Sequence, residues 1–148
     1  MIITIGSHKG GTGKSTLSTN LAAAYQSTGH RVIVIEADPS VSTTSTWAAR
    51  REEHDELTPV TVLRKTGRLA PTLRDLQQVY DIIIVDTAGK DSVELRSAAL
   101  VSDVLLTPTN ADVADLDSTA EFITRMDEAR DSNEDLKILV VISRAPTH

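Results

Sequence analysis

Five short apolar runs, rich in Ile and Val and without polar alternation, constrain the fold of this chain more than any other feature. They lie at 2–5, 32–35, 82–85, 104–106 and 138–142, and a weaker sixth candidate lies at 60–63. Runs of this kind are typical of strands that are buried on both faces of a sheet. Strands buried in this way need helices on both sides, so the pattern indicates a mainly parallel sheet in an α/β protein.

The segments between these runs carry helical spacing. Apolar residues recur at intervals of three and four residues over 17–25, and Gly29 follows at a position where the end of a helix favours glycine. Two further helices are predicted around 69–76 and 116–126. The charged segment RREEHDE at 50–56 is predicted to be solvated surface, and the segment STTST at 42–46 is too short to be a linker.

Length and composition place the chain among ordinary globular proteins. Its 148 residues fit a single domain, and 40% of them are hydrophobic. A net charge of −6 offers no strong field for polyanions, and the absence of cysteine excludes disulfides, thiolate zinc sites and cysteine-held iron–sulfur clusters. No basic leader and no apolar run near the roughly 20 residues of a membrane span are present, so we expect a soluble cytoplasmic protein.

Polar clusters follow each of the five main runs. They lie at 6–15, 36–40, 86–89, 108–115 and 143–148. Because the carboxyl ends of parallel strands meet at one edge of a sheet, where ligands bind, the clusters are expected to converge on one crevice.

The first cluster contains the sequence GGTGKST at 10–16, between the first strand and the first predicted helix. Glycines in this context turn backbone N–H groups inward to cradle phosphate, and the helix N-terminus adds its partial positive charge. Lys14 is expected to reach the β- and γ-phosphates, Ser15 to bind Mg²⁺, and Thr16 to donate to the α-phosphate. The predicted nucleotide-binding residues are therefore Gly10, Gly11, Thr12, Gly13, Lys14, Ser15 and Thr16. The motif predicts a doubly wound, mainly parallel sheet of the P-loop NTPase type, with a nucleotide and Mg²⁺ as cofactors.

One departure from the general phosphate-loop motif points to a particular group of nucleotide-binding proteins. His8 stands where the first glycine of G-x-x-x-x-G-K-[ST] is expected, and Lys9 adds a second lysine. This variant resembles the deviant Walker A box of the ParA and MinD ATPases, which form nucleotide-sandwich dimers, and the resemblance implies ATP or ADP with Mg²⁺ as the cofactors. The resemblance implies that Lys9 reaches the phosphates of the partner subunit while Lys14 acts within its own chain. His8 is taken as a tolerated loop residue.

Two more segments resemble the same family. EADPS at 36–40 is similar to the family's D-x-D-P-Q, which implies that Asp38 orients the attacking water or lies near the metal. Glu36 and Ser40 depart from that pattern and leave the tuning of hydrolysis open. IIIVDTAGK at 82–90 reads as Walker B, in which Asp86 holds Mg²⁺ through water and the backbone of Gly89 senses the γ-phosphate.

The last third of the chain resembles the small plasmid-partition branch of the family. Pro108, Asp115 and Leu116 match a strand that ends in proline and an acid–hydrophobe pair that opens a helix, although Ala111 replaces a frequent proline. The resemblance implies that Arg144, after the last strand, stacks on the adenine. It covers essentially the whole chain, but relatives usually continue further. The chain is therefore either a fragment or a minimal version of the family.

The resemblance implies a slow, partner-stimulated ATPase that drives plasmid or chromosome segregation as an ATP-dependent homodimer. It also implies a centromere-binding partner of the ParB or ParG type, and nonspecific DNA held by the dimer near the nucleoid. Two alternatives stay open, a MinD-like positioning ATPase and a nucleotide-gated interaction module with little turnover. A membrane contact is not expected, because no amphipathic C-terminal helix is present. Nitrogenase-like reductases are excluded by the lack of cysteine, and small-molecule kinases remain only if Lys9 is incidental.

Overall fold

The computed structural model describes residues 1–143 and 145 and contains one six-stranded sheet in that part of the chain. The strand order is β3-β2-β4-β1-β5-β6, and every neighbouring pair is parallel. The strands are β1 (Ile2–Ile5), β2 (Val32–Glu36), β3 (Thr61–Arg64), β4 (Ile82–Asp86), β5 (Val104–Thr109) and β6 (Lys137–Ile142). The predicted parallel α/β fold is confirmed, and the weak candidate at 60–63 forms the edge strand β3.

Five α-helices connect these strands in the described residues. They are α1 (Lys14–Ser27), α2 (Thr43–Glu52), α3 (Ala70–Leu76), α4 (Val93–Ala99) and α5 (Val113–Asp127), and a short 3₁₀ helix follows at Glu128–Asp131. Side chains of α1 and α2 pack on one face of the sheet, and those of α3, α4 and α5 pack on the other. No helix in this part of the chain combines the length and the apolar character needed to cross a lipid bilayer.

The sequence pattern did not predict α2 and α4. Helix α2 has the sequence TTSTWAARRE and buries only Thr44 and Ala48 fully, so it lacks the large apolar stripe by which a helix is usually found. Its last three residues also belong to the charged segment at 50–56, for which the sequence predicts only a solvated surface. Helix α4 buries one leucine, one serine and two alanines, so it also lacks a stripe of large apolar side chains.

The parallel order brings the carboxyl ends of β1, β2 and β4 side by side at the centre of the sheet. In register, Ile5 pairs with Asp86 and Glu36 pairs with Asp86, so the polar clusters that follow these three strands are neighbours. Strand β5 pairs with the other side of β1, and β6 lies beyond β5 at the edge of the sheet. The candidate site lies at this edge.

Candidate nucleotide-binding site

The loop between β1 and α1 turns at two of its glycines. Gly11 and Gly13 have φ values of 76° and 95°, in the left-handed region that other residues rarely adopt. Gly13 is the N-cap of α1, and its carbonyl accepts the first helical hydrogen bond from Leu17 at 2.9 Å. The loop therefore leads directly into a helix N-terminus, which is a favourable location for an anion.

Lys14 holds a buried ammonium group within this loop. The residue is only 7% exposed, and its Nζ donates to Ser7 Oγ and to the Lys9 carbonyl, both at 3.2 Å. Burial lowers the pKa of Lys14, while the charges of Asp86 and Asp38 raise it in part. Because its two acceptors are neutral, the ammonium is poorly compensated at this position, and an anionic ligand in the cleft would compensate it.

Asp86 ends β4 and is 4% exposed. Its Oδ2 accepts a hydrogen bond from Thr44 Oγ1 at 2.8 Å, whereas its Oδ1 is buried without a partner. Burial raises the pKa of Asp86, although the nearby hydroxyls of Thr44 and Ser15 lower it in part. An orphaned carboxylate oxygen beside a serine hydroxyl has the chemistry that a Mg²⁺ ligand requires, and the assignment of Asp86 and Ser15 to the metal stays a prediction.

The described residues contain no group of three or more His, Cys, Asp or Glu side chains that could hold a metal by themselves. This finding is compatible with Mg²⁺, which keeps several waters and binds through one or two carboxylates together with substrate phosphates. Ser15 and Asp86 would hold the ion.

Glu36 has a role that the sequence did not predict. It is 2% exposed, and its Oε1 accepts the backbone N–H groups of Thr44 at 2.8 Å and Ser45 at 3.1 Å, so it caps the N-terminus of α2. Its Oε2 accepts from the Ser45 hydroxyl and lies 3.3 Å from Arg64 Nε. Glutamate at position 36, where the resembling family has aspartate, thus places its carboxylate against the N-terminus of α2. The Ser/Thr run at 42–46 was the available signal.

Asp38 lies in the loop after β2 and lines the same cleft as the glycine loop. Its Oδ1 accepts from the backbone N–H of Ser40 at 2.9 Å and from the Ser40 hydroxyl at 2.5 Å. These bonds fix the carboxylate near the positively charged Lys14. The predicted roles of Asp38 in hydrolysis and near the metal stay predictions.

Gly89 touches the backbone of the phosphate loop. A Cβ built on it would lie 2.5 Å from the Lys9 carbonyl carbon and 2.6 Å from Gly10 Cα, much closer than real Cβ contacts. The segment after β4 can approach the loop this closely only because residue 89 is glycine. Its predicted contact with a γ-phosphate stays a prediction.

Lys9 forms an ion pair within its own chain. Its Nζ donates to Asp115 Oδ1, and the Lys9 side chain is 45% exposed. The carboxylate also accepts from Asn110 Nδ2 at 2.6 Å, and the bond from Lys9 is the main cause that lowers the pKa of Asp115. In the sequence, Asp115 stands out only as part of the helix-opening pair with Leu116. Burial and the charge of Lys9 lower the pKa of the neighbouring His8, which favours a neutral ring.

Two adjoining cavities lie along this edge of the sheet. The first, of about 320 Å³, is lined by the glycine loop, Asp38 and Gly89. The second, of about 340 Å³, shares Gly13 and Thr16 with the first and is otherwise lined by Leu17, Asn20, Pro108, Val141 and Ser143. The clusters after β1, β2 and β4 therefore meet at the first cavity, and those after β5 and β6 contribute to the second.

The sequence did not predict which residues line the second cavity. Its lining is mostly apolar, which suits a flat aromatic base better than phosphate. The Ser143 hydroxyl connects the glycine loop to the end of β5. It donates to the carbonyl oxygen of Thr12 at 2.9 Å and to that of Thr109 at 3.1 Å. Arg144, the predicted adenine-stacking residue, lies outside the described residues.

Known proteins and one family model are similar to this chain. The family model described as the CobQ/CobB/MinD/ParA nucleotide-binding domain matches residues 3–147. Among curated proteins, the chain is 28% identical to the maintenance of carboxysome distribution protein A of Halothiobacillus neapolitanus, over 92% of this chain and 62% of that protein. It is 27% identical to the chromosome-partitioning ATPase Soj of Thermus thermophilus, over 95% of this chain and 67% of that protein.

Two solved structures are similar to this fold. A plasmid partition protein from Borrelia burgdorferi is 26% identical, with a TM-score of 0.74 over 99% of this chain and 80% of that one. The septum site-determining protein MinD of Pyrococcus horikoshii, complexed with Mg-ADP, superposes with a TM-score of 0.74 over 97% of this chain and 70% of that one, at 24% identity. At that identity the likeness shows the fold alone. The chain spans 62% of the length of the carboxysome relative.

Proposed function

Because the chain belongs to the CobQ/CobB/MinD/ParA nucleotide-binding domain family, we propose that it binds ATP with Mg²⁺ and hydrolyses it slowly, as a partition or positioning ATPase. One observation carries the proposal. A buried, poorly compensated ammonium on Lys14 borders a glycine-lined cleft, and beside it Asp86 buries a carboxylate oxygen that has no hydrogen-bond partner. A triphosphate with its metal supplies the two charges that these groups lack.

Each residue has a role that follows from its position. The backbone of the glycine loop and the N-terminus of α1 bind the phosphates, and Lys14 neutralises their charge. Ser15 and Asp86 hold Mg²⁺, which screens the phosphate oxygens when bound. Asp38, fixed by Ser40, orients the attacking water. The apolar second cavity receives the base.

Dimerisation gives Lys9 its function. The Lys9 side chain is half exposed and is held by a single carboxylate of its own chain, so it can exchange Asp115 for the phosphates of a second subunit. Phosphate carries more negative charge than one aspartate, which favours this exchange when ATP is bound. Loss of the γ-phosphate would return Lys9 to Asp115 and loosen the dimer.

The cargo is proposed from the relatives. Chromosome partition and carboxysome distribution are named for two of them, and both concern the placement of a large object in the cell. We favour partition of a plasmid or chromosome, with a centromere-binding protein as the stimulating partner. The net charge of −6 makes nonspecific DNA binding depend on the assembled dimer.

The test compares two lysines. Lys14→Ala is expected to abolish binding of a fluorescent ATP analogue, whereas Lys9→Ala keeps binding but loses the dimer that a non-hydrolysable analogue induces, measured by light scattering. Lys137→Ala, an exposed lysine at the start of β6, is the control. Normal dimers of Lys9→Ala would refute the crossing of Lys9, and retained binding by Lys14→Ala would refute the phosphate site. Turnover of the wild-type chain with DNA and partner separates an ATPase from a nucleotide-gated module.

A further inference from the structure

The first turn of α2 is attached to the ends of two neighbouring strands through one residue. The Thr44 backbone N–H donates to Glu36 at the end of β2, and the Thr44 hydroxyl donates to Asp86 Oδ2 at the end of β4, both at 2.8 Å. Thr44 is fully buried. A threonine with two such bonds connects a helix directly to the carboxylate at the metal site.

The hydroxyl bond also determines which oxygen of Asp86 is left over. With Oδ2 engaged by Thr44, the buried Oδ1 has no partner in the described structure. A carboxylate without this anchor could rotate about its terminal bond, since that torsion is broad in aspartate. The hydroxyl of Thr44 therefore fixes the plane of the carboxylate and leaves one defined oxygen for a ligand.

We propose that Thr44 is the positioning residue of the Mg²⁺ site, and that it transmits occupancy of that site to helix α2. The inference rests on the proposed nucleotide and metal binding and adds a residue that the motifs do not mark. When Asp86 Oδ1 engages the hydrated ion, the Thr44 bond to Oδ2 braces the first turn of α2 against the sheet. Glu36 holds the same turn from the other side, so a shift of Asp86 moves the helix rather than a single side chain.

The chain contains its own reporter for this movement. Its one tryptophan, Trp47, lies on α2 three residues after Thr44. The indole is half-buried, packs against the core on the α1 and α2 face, and has the Arg51 guanidinium 5.6 Å from its ring centroid. A change in the position or stiffness of α2 alters these surroundings, and with them the fluorescence of Trp47.

The experiment titrates Mg²⁺ into the full chain saturated with ADP and records Trp47 emission, with EDTA as the metal-free reference. Thr44→Val removes the hydroxyl and keeps the β-branched shape, Thr44→Ser restores a hydroxyl, and Thr46→Val changes an exposed threonine of the same helix. A fluorescent ADP analogue in EDTA measures nucleotide affinity independently of the metal.

We expect a saturable Mg²⁺-dependent change of emission in the wild type, Thr44→Ser and Thr46→Val. In Thr44→Val the Mg²⁺ concentration at half saturation should rise by about 10- to 100-fold, as is typical when a group that orients a metal ligand is removed. Its ADP affinity in EDTA should stay unchanged. A merely structural role for Thr44 would not give a defect that is specific for the metal and reversed by serine.

Other results have definite meanings. If the wild type binds nucleotide but its emission does not respond to Mg²⁺, transmission to α2 is refuted. If the Mg²⁺ titration of Thr44→Val is unchanged, the positioning role of Thr44 is refuted. Neither result contradicts the proposed nucleotide binding. A wild-type chain that binds no nucleotide overturns the proposed function and the coupling with it. If Thr44→Val does not fold, hydrogen exchange of the Thr44 and Ser45 amides in the wild type decides. Their protection should increase when Mg²⁺ is added to the ADP complex, and equal protection refutes the inference.

Discussion

The contact between Gly89 and the phosphate loop gives a sharp prediction. In Gly89→Ala the new methyl carbon would lie 2.5 Å from the Lys9 carbonyl carbon and 2.6 Å from Gly10 Cα. Ordinary contacts begin at about 3.4 Å, so the overlap is close to 1 Å, and the atoms it meets are backbone rather than a flexible side chain. The loop or the segment after β4 must therefore move.

Overlap of this kind in a packed region costs about 1 to 3 kcal/mol. For a chain of this length about 1 kcal/mol corresponds to roughly 3 °C in the melting temperature, so Gly89→Ala should melt about 3 to 9 °C lower than the wild type. Because the displaced atoms belong to the phosphate loop, binding of a fluorescent ATP analogue should weaken as well.

Gly10→Ala is the matched control for stability. Its added Cβ meets no atom within 4 Å, and its backbone does not have the positive φ of Gly11 and Gly13. Thermal unfolding of the two variants without nucleotide should therefore differ by the full cost of the overlap. Equal melting temperatures would show that the segment after β4 does not rest on the loop as described, and the argument for Gly89 would fail.

Two further predictions follow from the charged groups. Asp115→Asn should lower the protein concentration at which an ATP analogue induces dimers by several-fold, because Lys9 no longer has to leave a carboxylate; light scattering that shows weaker dimers would mean that Asp115 supports the dimer instead. Asp86→Asn should raise the melting temperature of the ligand-free chain at pH 7. Burial raises the folded-state pKa of Asp86, so its contribution to stability is full below the unfolded value of about 3.9 and is lost as the pH rises through the folded value. The gain should vanish near pH 3.5 in thermal scans, and a gain of the same size at both pH values would contradict the assignment.

The sheet was predictable because its strands are buried on both faces and read as uninterrupted Ile and Val. The runs at 32–35 and 82–85 correspond to β2 and β4 with an added terminal acid, Glu36 or Asp86. The phosphate loop was also predictable, since a glycine-rich turn followed by a lysine at the start of a helix has few other uses. Both signals are local in sequence.

The features that were missed depend on long-range packing. Helix α2 is held by Glu36 and by the burial of Thr44 and Ala48, none of which gives an apolar period. The pair formed by Lys9 and Asp115 joins residues 106 positions apart and exists because β5 lies beside β1. No local spacing in the sequence predicts a contact between residues so far apart, so this ion pair is seen only in the folded sheet.

The two central charges of the site are shifted in opposite directions by the same cause. Burial lowers the pKa of Lys14 and raises that of Asp86, so each group is harder to ionise in the folded chain than in water. Packing for stability alone would replace both by apolar residues. A ligand with negative phosphates and a divalent cation would relieve both penalties at once, and it would stabilise the folded chain because it does not bind the unfolded one. The cost of burying Lys14 and Asp86 would therefore be the physical basis for the proposed coupling of nucleotide and Mg²⁺ binding to the order of the loop and of α2.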